Sequence, residues 1–319
     1  MSDRPARLRD RFLLGCLGLV PAAIARHLLF LLRSFPALAD RWGYHIRAIH
    51  YHEPLPDFRE IDAARTRRPR DLSHLGFDLP RQAALVRRLA AAYREELEEL
   101  ARAPAGEGFD FGNDYFAGFD AALYYALVRD LKPRRIVEIG AGHSTRIATR
   151  ALARNRAEGR AGELIAVEPH PQPRLTEARL DVKVVRQRVE DLDLDFFAPL
   201  EAGDILFIDS SHAVRFGGDV VRELLEIVPR LRPGVWIHVH DVFLPHDYPA
   251  DWLVRRRLAF NEQYLLEAFL AFNPSFVARA AAYWLCLEQR EDVARLWPGA
   301  SAAFEAGAHG CASFWMSRE

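Results

Sequence analysis

Apolar and polar positions follow two periods along this chain. From Pro80 to about Arg102, Leu85, Leu89, Tyr93 and Leu97 recur every four residues, which predicts a helix with one apolar stripe. A second helix is predicted from about Tyr115 to Leu131. Short apolar runs rich in β-formers then alternate with helical segments. Strands are expected at Ile136–Ile139, Leu164–Glu168, Val182–Val185, Ile205–Asp209, Val235–His240 and Phe276–Arg279, with Ser313–Met316 as an antiparallel closing strand. Helices are expected near Ser144–Asn155, Gly218–Leu231 and Ala250–Phe272. This alternation predicts an α/β domain with a mostly parallel sheet wrapped by helices. Residues 1 to about 50 read as helical with breaks at Pro21 and Pro36. Tyr51–Asp57 is an extended, proline-fixed stretch, and residues 59–79 are charged and irregular. The chain therefore divides into a helical amino-terminal extension or cap, 1–112, and a sheet domain, 113–319. No internal repeat is visible.

Composition changes this picture little. The chain has 319 residues, half of them hydrophobic, with a net charge of −1, so it carries no global nucleic-acid signature. The charge is uneven, however: residues 1–70 hold 13 Arg against 7 Asp and Glu, a net of +6. The run Phe12–Ala25 is uncharged for only 14 residues, too short to span a bilayer. Arg4, Arg7, Arg9 and Arg11 precede it as they would in a signal peptide, but no convincing cleavage site follows. Two readings stand for residues 1–35. One is packing of helices on the catalytic domain or on a second copy in a homo-oligomer, the simpler account. The other is a peripheral seat on the inner face of a membrane, with arginines on anionic headgroups. Cys16, Cys286 and Cys311 are widely spaced and suggest neither a metal motif nor a disulfide framework; a reducing cytoplasm is the expected compartment.

The most informative chemistry lies in Glu138-Ile139-Gly140-Ala141-Gly142-His143-Ser144-Thr145. A buried strand runs into a glycine turn, and Ser144 or Thr145 can cap the helix that follows. Such a turn builds a nucleotide crevice at the carboxyl end of a parallel strand. Thr145 stands where a dinucleotide fingerprint has its third glycine, which disfavours a nicotinamide-dependent oxidoreductase. Glu138, two residues before the first glycine, can accept bonds from loop amides or from a cationic ligand. Glu168 ends the second strand, 28 residues after Gly140, where an acid can bind both hydroxyls of a ribose. Past the third strand, Val189 can pack on an adenine ring and Glu190 or Asp191 can accept its amino group; an N-cap role for Asp191 is equally consistent.

Acids and imidazoles also gather at the fourth and fifth strand ends: Asp209 and His212, then His240 and Asp241. Trp236, His238 and His240 share one face of the fifth strand by alternation. His238, deeper in the strand, reads as a core residue. Asp209, His212, His240 and Asp241 are the candidate catalytic group. They could bind a divalent metal that lowers a hydroxyl's pKa, or a histidine could take the proton from an attacking hydroxyl or, less favoured, an amine. Tyr44, His45, His50, Tyr51 and His52 could fold over the crevice as a lid, although packing at a helix-to-loop junction is the simpler account.

Glu-x-Gly-x-Gly followed by Glu168 resembles the first two motifs of class I S-adenosylmethionine (SAM)-dependent methyltransferases. Gly203–Gly218, the His-x-His-Asp segment and Asn261–Tyr264 resemble bacterial members, the group of sugar and macrolide O-methyltransferases and cephalosporin-hydroxylase-like proteins. The likeness covers roughly residues 113–317. It implies a Rossmann-like seven-stranded sheet, a cradle for the methionine part over Glu138–Thr145, and ribose binding by Glu168. Catechol-type members use acids at the positions of Asp209 and Asp241 for a metal, but Val242 replaces the next polar ligand. The implied activity is methylation of a hydroxyl on a small molecule, a glycan or a lipid precursor. Two alternatives stand beside it: a non-haem iron oxygenase using His212, His240 and Asp241, and a non-catalytic scaffold.

Overall fold

The computed structural model describes residues 22–103, 108–171, 180–300 and 310–319. The chain forms two compact units, 1–60 and 61–319, so the boundary expected at 112/113 falls inside the second. In the first unit, helix α1 (Ala22–Ser34) is followed by the short helix α2 (Pro36–Asp40). Most of the apolar run Phe12–Ala25, and Cys16 with it, lies outside the described residues.

The second unit holds a seven-stranded sheet: β1 (Arg135–Ile139), β2 (Glu163–Val167), β3 (Lys183–Val185), β4 (Ile205–Ile208), β5 (Trp236–Val239), β6 (Phe276–Ala281) and β7 (Phe314–Arg318). Their order across the sheet is β3-β2-β1-β4-β5-β7-β6. The first five strands are mutually parallel, and β7 runs antiparallel between β5 and β6. The order reverses between β1 and β4, the switch point past whose carboxyl ends open α/β sheets bind their ligands. The central strands are apolar on both faces because helices cover both. Ile136, Ile205 and Phe207 enter one core, and Val137, Ile139, Leu206 and Ile208 enter the other.

Helix α3 (Leu79–Arg102) begins where the Asp78 carboxylate accepts the Arg81 N–H at 2.9 Å, with Pro80 in its first turn. It buries Val86, Leu89 and Leu97. Helix α4 (Gly118–Leu131) is buried from Gly118 through Arg129, which explains its nearly unbroken apolar sequence. Helix α5 (His143–Ala157) follows the glycine turn.

Three expectations need correction. The helix predicted over Ala250–Phe272 is broken: one turn at Asp251–Arg255 is followed by irregular chain, and helix α7 (Glu262–Leu270) starts anew. Asn261 is the interruption. Its side-chain oxygen accepts the Val214 N–H at 2.6 Å and its own N–H donates to the His212 carbonyl at 3.0 Å, so it is committed to tertiary partners. The helix expected over Gly218–Leu231 is regular only over α6 (Asp219–Arg222) and then changes pitch through Arg230. The cysteines do form a bridge: a disulfide joins Cys286, in helix α8 (Ala282–Glu288), to Cys311, just before β7. Helix α9 (Arg290–Leu296) lies between them in sequence, and this closeness exists only in the folded chain.

Candidate functional site

The glycine turn sits against the end of β4. Gly140 has φ +81°, and a Cβ there would meet the Asp209 carbonyl oxygen at 2.0 Å. The two strand ends can approach this closely only with glycine at 140. Gly142 faces open space: a Cβ there would meet nothing within 4 Å among the described residues. The Gly142 N–H donates to Thr145 Oγ1 at 3.0 Å, which caps the start of α5. Ser144 serves elsewhere: its hydroxyl donates to Glu138 Oε1 at 2.5 Å.

Glu138 is fully buried, and its second oxygen, Oε2, has no hydrogen-bond partner among the described residues. Burial pushes its carboxyl up to about 8, against the bonds from Ser144 and Thr145. A buried acceptor with an open lone pair beside a glycine turn is suited to a cationic or N–H-bearing ligand. Glu168 is half-buried at the end of β2 and accepts from the Ala141 N–H at 3.3 Å and the His170 N–H at 2.8 Å. The two acids thus hold the turn at different points, Glu168 at Ala141 and Glu138 at Ser144. Val189 is buried in the second core, and Glu190 is paired with Arg188 at 2.6 Å.

At the ends of β4 and β5 the four predicted rim residues come together. His212 Nε2 stands 3.3 Å from Asp209 Oδ1 and 3.4 Å from Asp241 Oδ2. His240 Nδ1 stands 3.6 Å from Asp209 Oδ1 and 3.4 Å from Asp241 Oδ1. The two rim aspartates are therefore bridged by both rings. His212 and Asp241 hold positive φ angles of 59° and 57°, conformations that cost non-glycine residues and that occur where side chains must be aimed. The histidines are nearly buried, whereas 31% of the Asp209 side chain remains open to solvent.

Two further acids were missed by the sequence reading as members of this group. Glu262, buried at the start of α7, stands 2.9 Å from His212 Nδ1. Asp120, buried in α4, brings Oδ2 to 3.6 Å from His240 Nε2, and its carboxylate accepts the Ala312 and Ser313 N–H groups at 2.8 Å each. An acid inside the otherwise apolar run Phe116–Val128 was the available signal for Asp120. For Glu262 it was the Asn261–Tyr264 segment already singled out. Gln263 is buried there as well and accepts from the Phe243 N–H at 2.9 Å.

Burial alone would keep both rim imidazoles neutral. Asp241, Asp209 and Glu262 outweigh it at His212, and Asp241, Asp209 and Asp120 outweigh it at His240, so both rings are held well above the usual histidine range. Burial would likewise raise Asp209, but the two imidazoliums beside it hold it well below the ordinary carboxylate range. His238 lies deeper, stacked on Phe207 at 3.8 Å with Nε2 2.8 Å from Ser313 Oγ, and burial keeps it neutral.

The metal expected at Asp209, Asp241, His212 and His240 gains no support from the arrangement. Among the described residues, no group of three or more His, Cys, Asp and Glu side chains is gathered for a metal ion. The imidazole nitrogens face the rim carboxylates at 3.3–3.6 Å as ion pairs.

Residues 137–242 match a family model described as a methyltransferase domain. The match spans the glycine turn, the acids at 138 and 168 and the rim from Asp209 to Asp241, so this stretch of the sheet is a methyltransferase domain. Among known proteins, an uncharacterized protein of Archaeoglobus fulgidus is 28% identical over 161 residues, covering 48% of this chain and 72% of that protein. Among solved structures, an O-methyltransferase from Bacillus cereus in complex with SAH is 19% identical, covering 62% of this chain and 81% of that one, with a TM-score of 0.33. The plantazolicin methyltransferase BpumL, also in complex with SAH, is 9% identical, covering 74% of this chain and 95% of that one, with a TM-score of 0.35. Among the described residues, no helix is long and apolar enough to cross a membrane.

Proposed function

We propose that the chain methylates a hydroxyl oxygen on a small molecule, a glycan or a lipid precursor. The observation that carries this reading is the contact between cradle and rim: the Gly140 backbone packs directly on Asp209, whose carboxylate is the most open of the four rim side chains. A methyl donor held over Gly140–Thr145 and an acceptor held at Asp209 would then be neighbours. SAM supplies a methyl group on a sulfonium, and the sulfur keeps the bonding pair as that methyl leaves. Glu138 Oε2 offers an acceptor to the donor's cationic part, and Glu168 is placed for its ribose. Most of the rate advantage would come from alignment of the reacting atoms.

The rim also bears on the proton. The expectation that His240 or His212 removes it meets a physical obstacle, since rings held protonated cannot accept a further proton. Asp209 is the better candidate to orient the acceptor hydroxyl and to take its proton as the new O–C bond forms. His212 and His240 would keep that carboxylate ionised, and Glu262 and Asp120 would keep the two rings in place.

The test is calorimetric titration with SAM and with S-adenosylhomocysteine, using NAD as control. Micromolar binding of both, weakened roughly ten-fold or more in Glu168→Ala, is the expected result. Well-folded protein that binds neither would overturn the reading.

A further inference from the structure

We infer that the first unit seats α1, α2 and the residues just after them on an anionic lipid surface. Among the described residues of this unit only Ala39 is buried. Leu28 is 48% exposed, Phe30 62%, Phe35 61%, Leu38 45%, Trp42 67% and Tyr44 66%. A stretch with this much exposed aliphatic and aromatic surface and a single buried alanine is not held by a core of its own and calls for a cover.

The charges say which cover fits. Arg26, Arg33 and Arg41 are exposed and have no carboxylate partner among the described residues, whereas Arg47 pairs with Glu53 and Arg59 with Asp57. Arg26 and Arg33, seven residues apart, fall within about 20° of each other around α1. Ile24, Leu28 and Leu31 lie on the opposite side of the helix. A helix sunk to its arginines in the headgroup layer, with the guanidiniums reaching out to phosphates, satisfies both sets. Trp42 and Tyr44 suit the same depth, where amphipathic rings concentrate. Among the described residues helix α1 spans 13 residues and holds no acid, so it has nothing to repel an anionic surface. The missing acid also counts against a second copy as the cover, since a two-fold pairing would bring these arginines together without counter-charges.

The inference does not rest on the methyltransferase reading. Its test is co-sedimentation of the full chain with vesicles of phosphatidylcholine alone and of phosphatidylcholine mixed with phosphatidylglycerol. The expected result is binding to the mixed vesicles that weakens with salt. Each arginine near an anionic surface is worth about a five-fold change in partitioning, so Arg26→Glu with Arg33→Glu should weaken binding by at least about 25-fold. Ile24→Ser with Leu28→Ser, both on the face opposite the arginines, should abolish binding, while SAH calorimetry on the same samples reports whether the catalytic unit is intact. Folded protein that ignores both vesicle types overturns the inference. So does equal adsorption to both types regardless of salt, and so does a concentration-dependent dimer that the same substitutions dissolve without any vesicle binding.

Discussion

Replacing Glu138 with Gln should flatten the pH dependence of stability while costing the protein its cofactor. The carboxyl is fully buried and its folded-state value is about 8, against 4.5 for an ordinary glutamate. Between these values the folded chain binds more protons than the unfolded one, so stability falls as pH rises. From about pH 5.5 to about pH 8, this one group removes about 3 kcal/mol. Glutamine keeps an oxygen for the Ser144 hydroxyl and has no charge to desolvate, so the variant should lack that decline. It will carry a roughly constant cost of about 1–3 kcal/mol for an amide N–H with no partner, which cancels when each protein is compared with itself across pH. Urea unfolding of the ligand-free protein at both ends of the range measures the difference directly. Calorimetry above about pH 8, where the wild-type carboxyl is ionised, should show S-adenosylhomocysteine binding weakened by roughly ten-fold or more, since a neutral amide replaces a charge-assisted acceptor. Parallel stability curves for wild type and variant would refute the claim that Glu138 is desolvated and ionisable in the fold. Undiminished binding would refute its place in the cradle.

Other consequences concern the turn and the acid behind the rim. Gly140→Ala puts a methyl group 2.0 Å from the Asp209 carbonyl at a φ of +81°, and should cost roughly 3 kcal/mol or more by thermal unfolding. Gly142→Ala meets nothing within 4 Å among the described residues and should leave stability within about 1 kcal/mol, yet weaken S-adenosylhomocysteine binding by filling the cradle. Equal melting temperatures for the two variants would contradict this account of the turn. Asp120→Ala strips the acceptor from the buried Ala312 and Ser313 N–H groups and should cost about 2–5 kcal/mol in denaturant unfolding. A near-neutral result would mean those amides find other partners.

Much of this architecture was legible because certain residues have obligatory local roles. The glycines at 140 and 142, the acids at 138 and 168, and the alternation through Trp236, His238 and His240 each follow from backbone geometry and strand period, and the fold places them as expected. What escaped depends on contacts between distant parts of the chain. The Cys286–Cys311 bridge needs α8 and the approach to β7 to be neighbours, which no spacing reveals. The break at Asn261 arises because its side chain serves Val214, 47 positions away, and a helix period cannot register that demand. Asp120 marks the boundary between the two cases. Its oddity in an apolar helix is visible in one dimension, but its purpose is not. Its carboxylate ties α4 to the approach to β7 and faces His240 at once, so the acid that fixes the packing of the core is also the one that backs the rim. Core and site here share side chains, and that explains why an acid is buried at a position where an apolar residue would pack at lower cost.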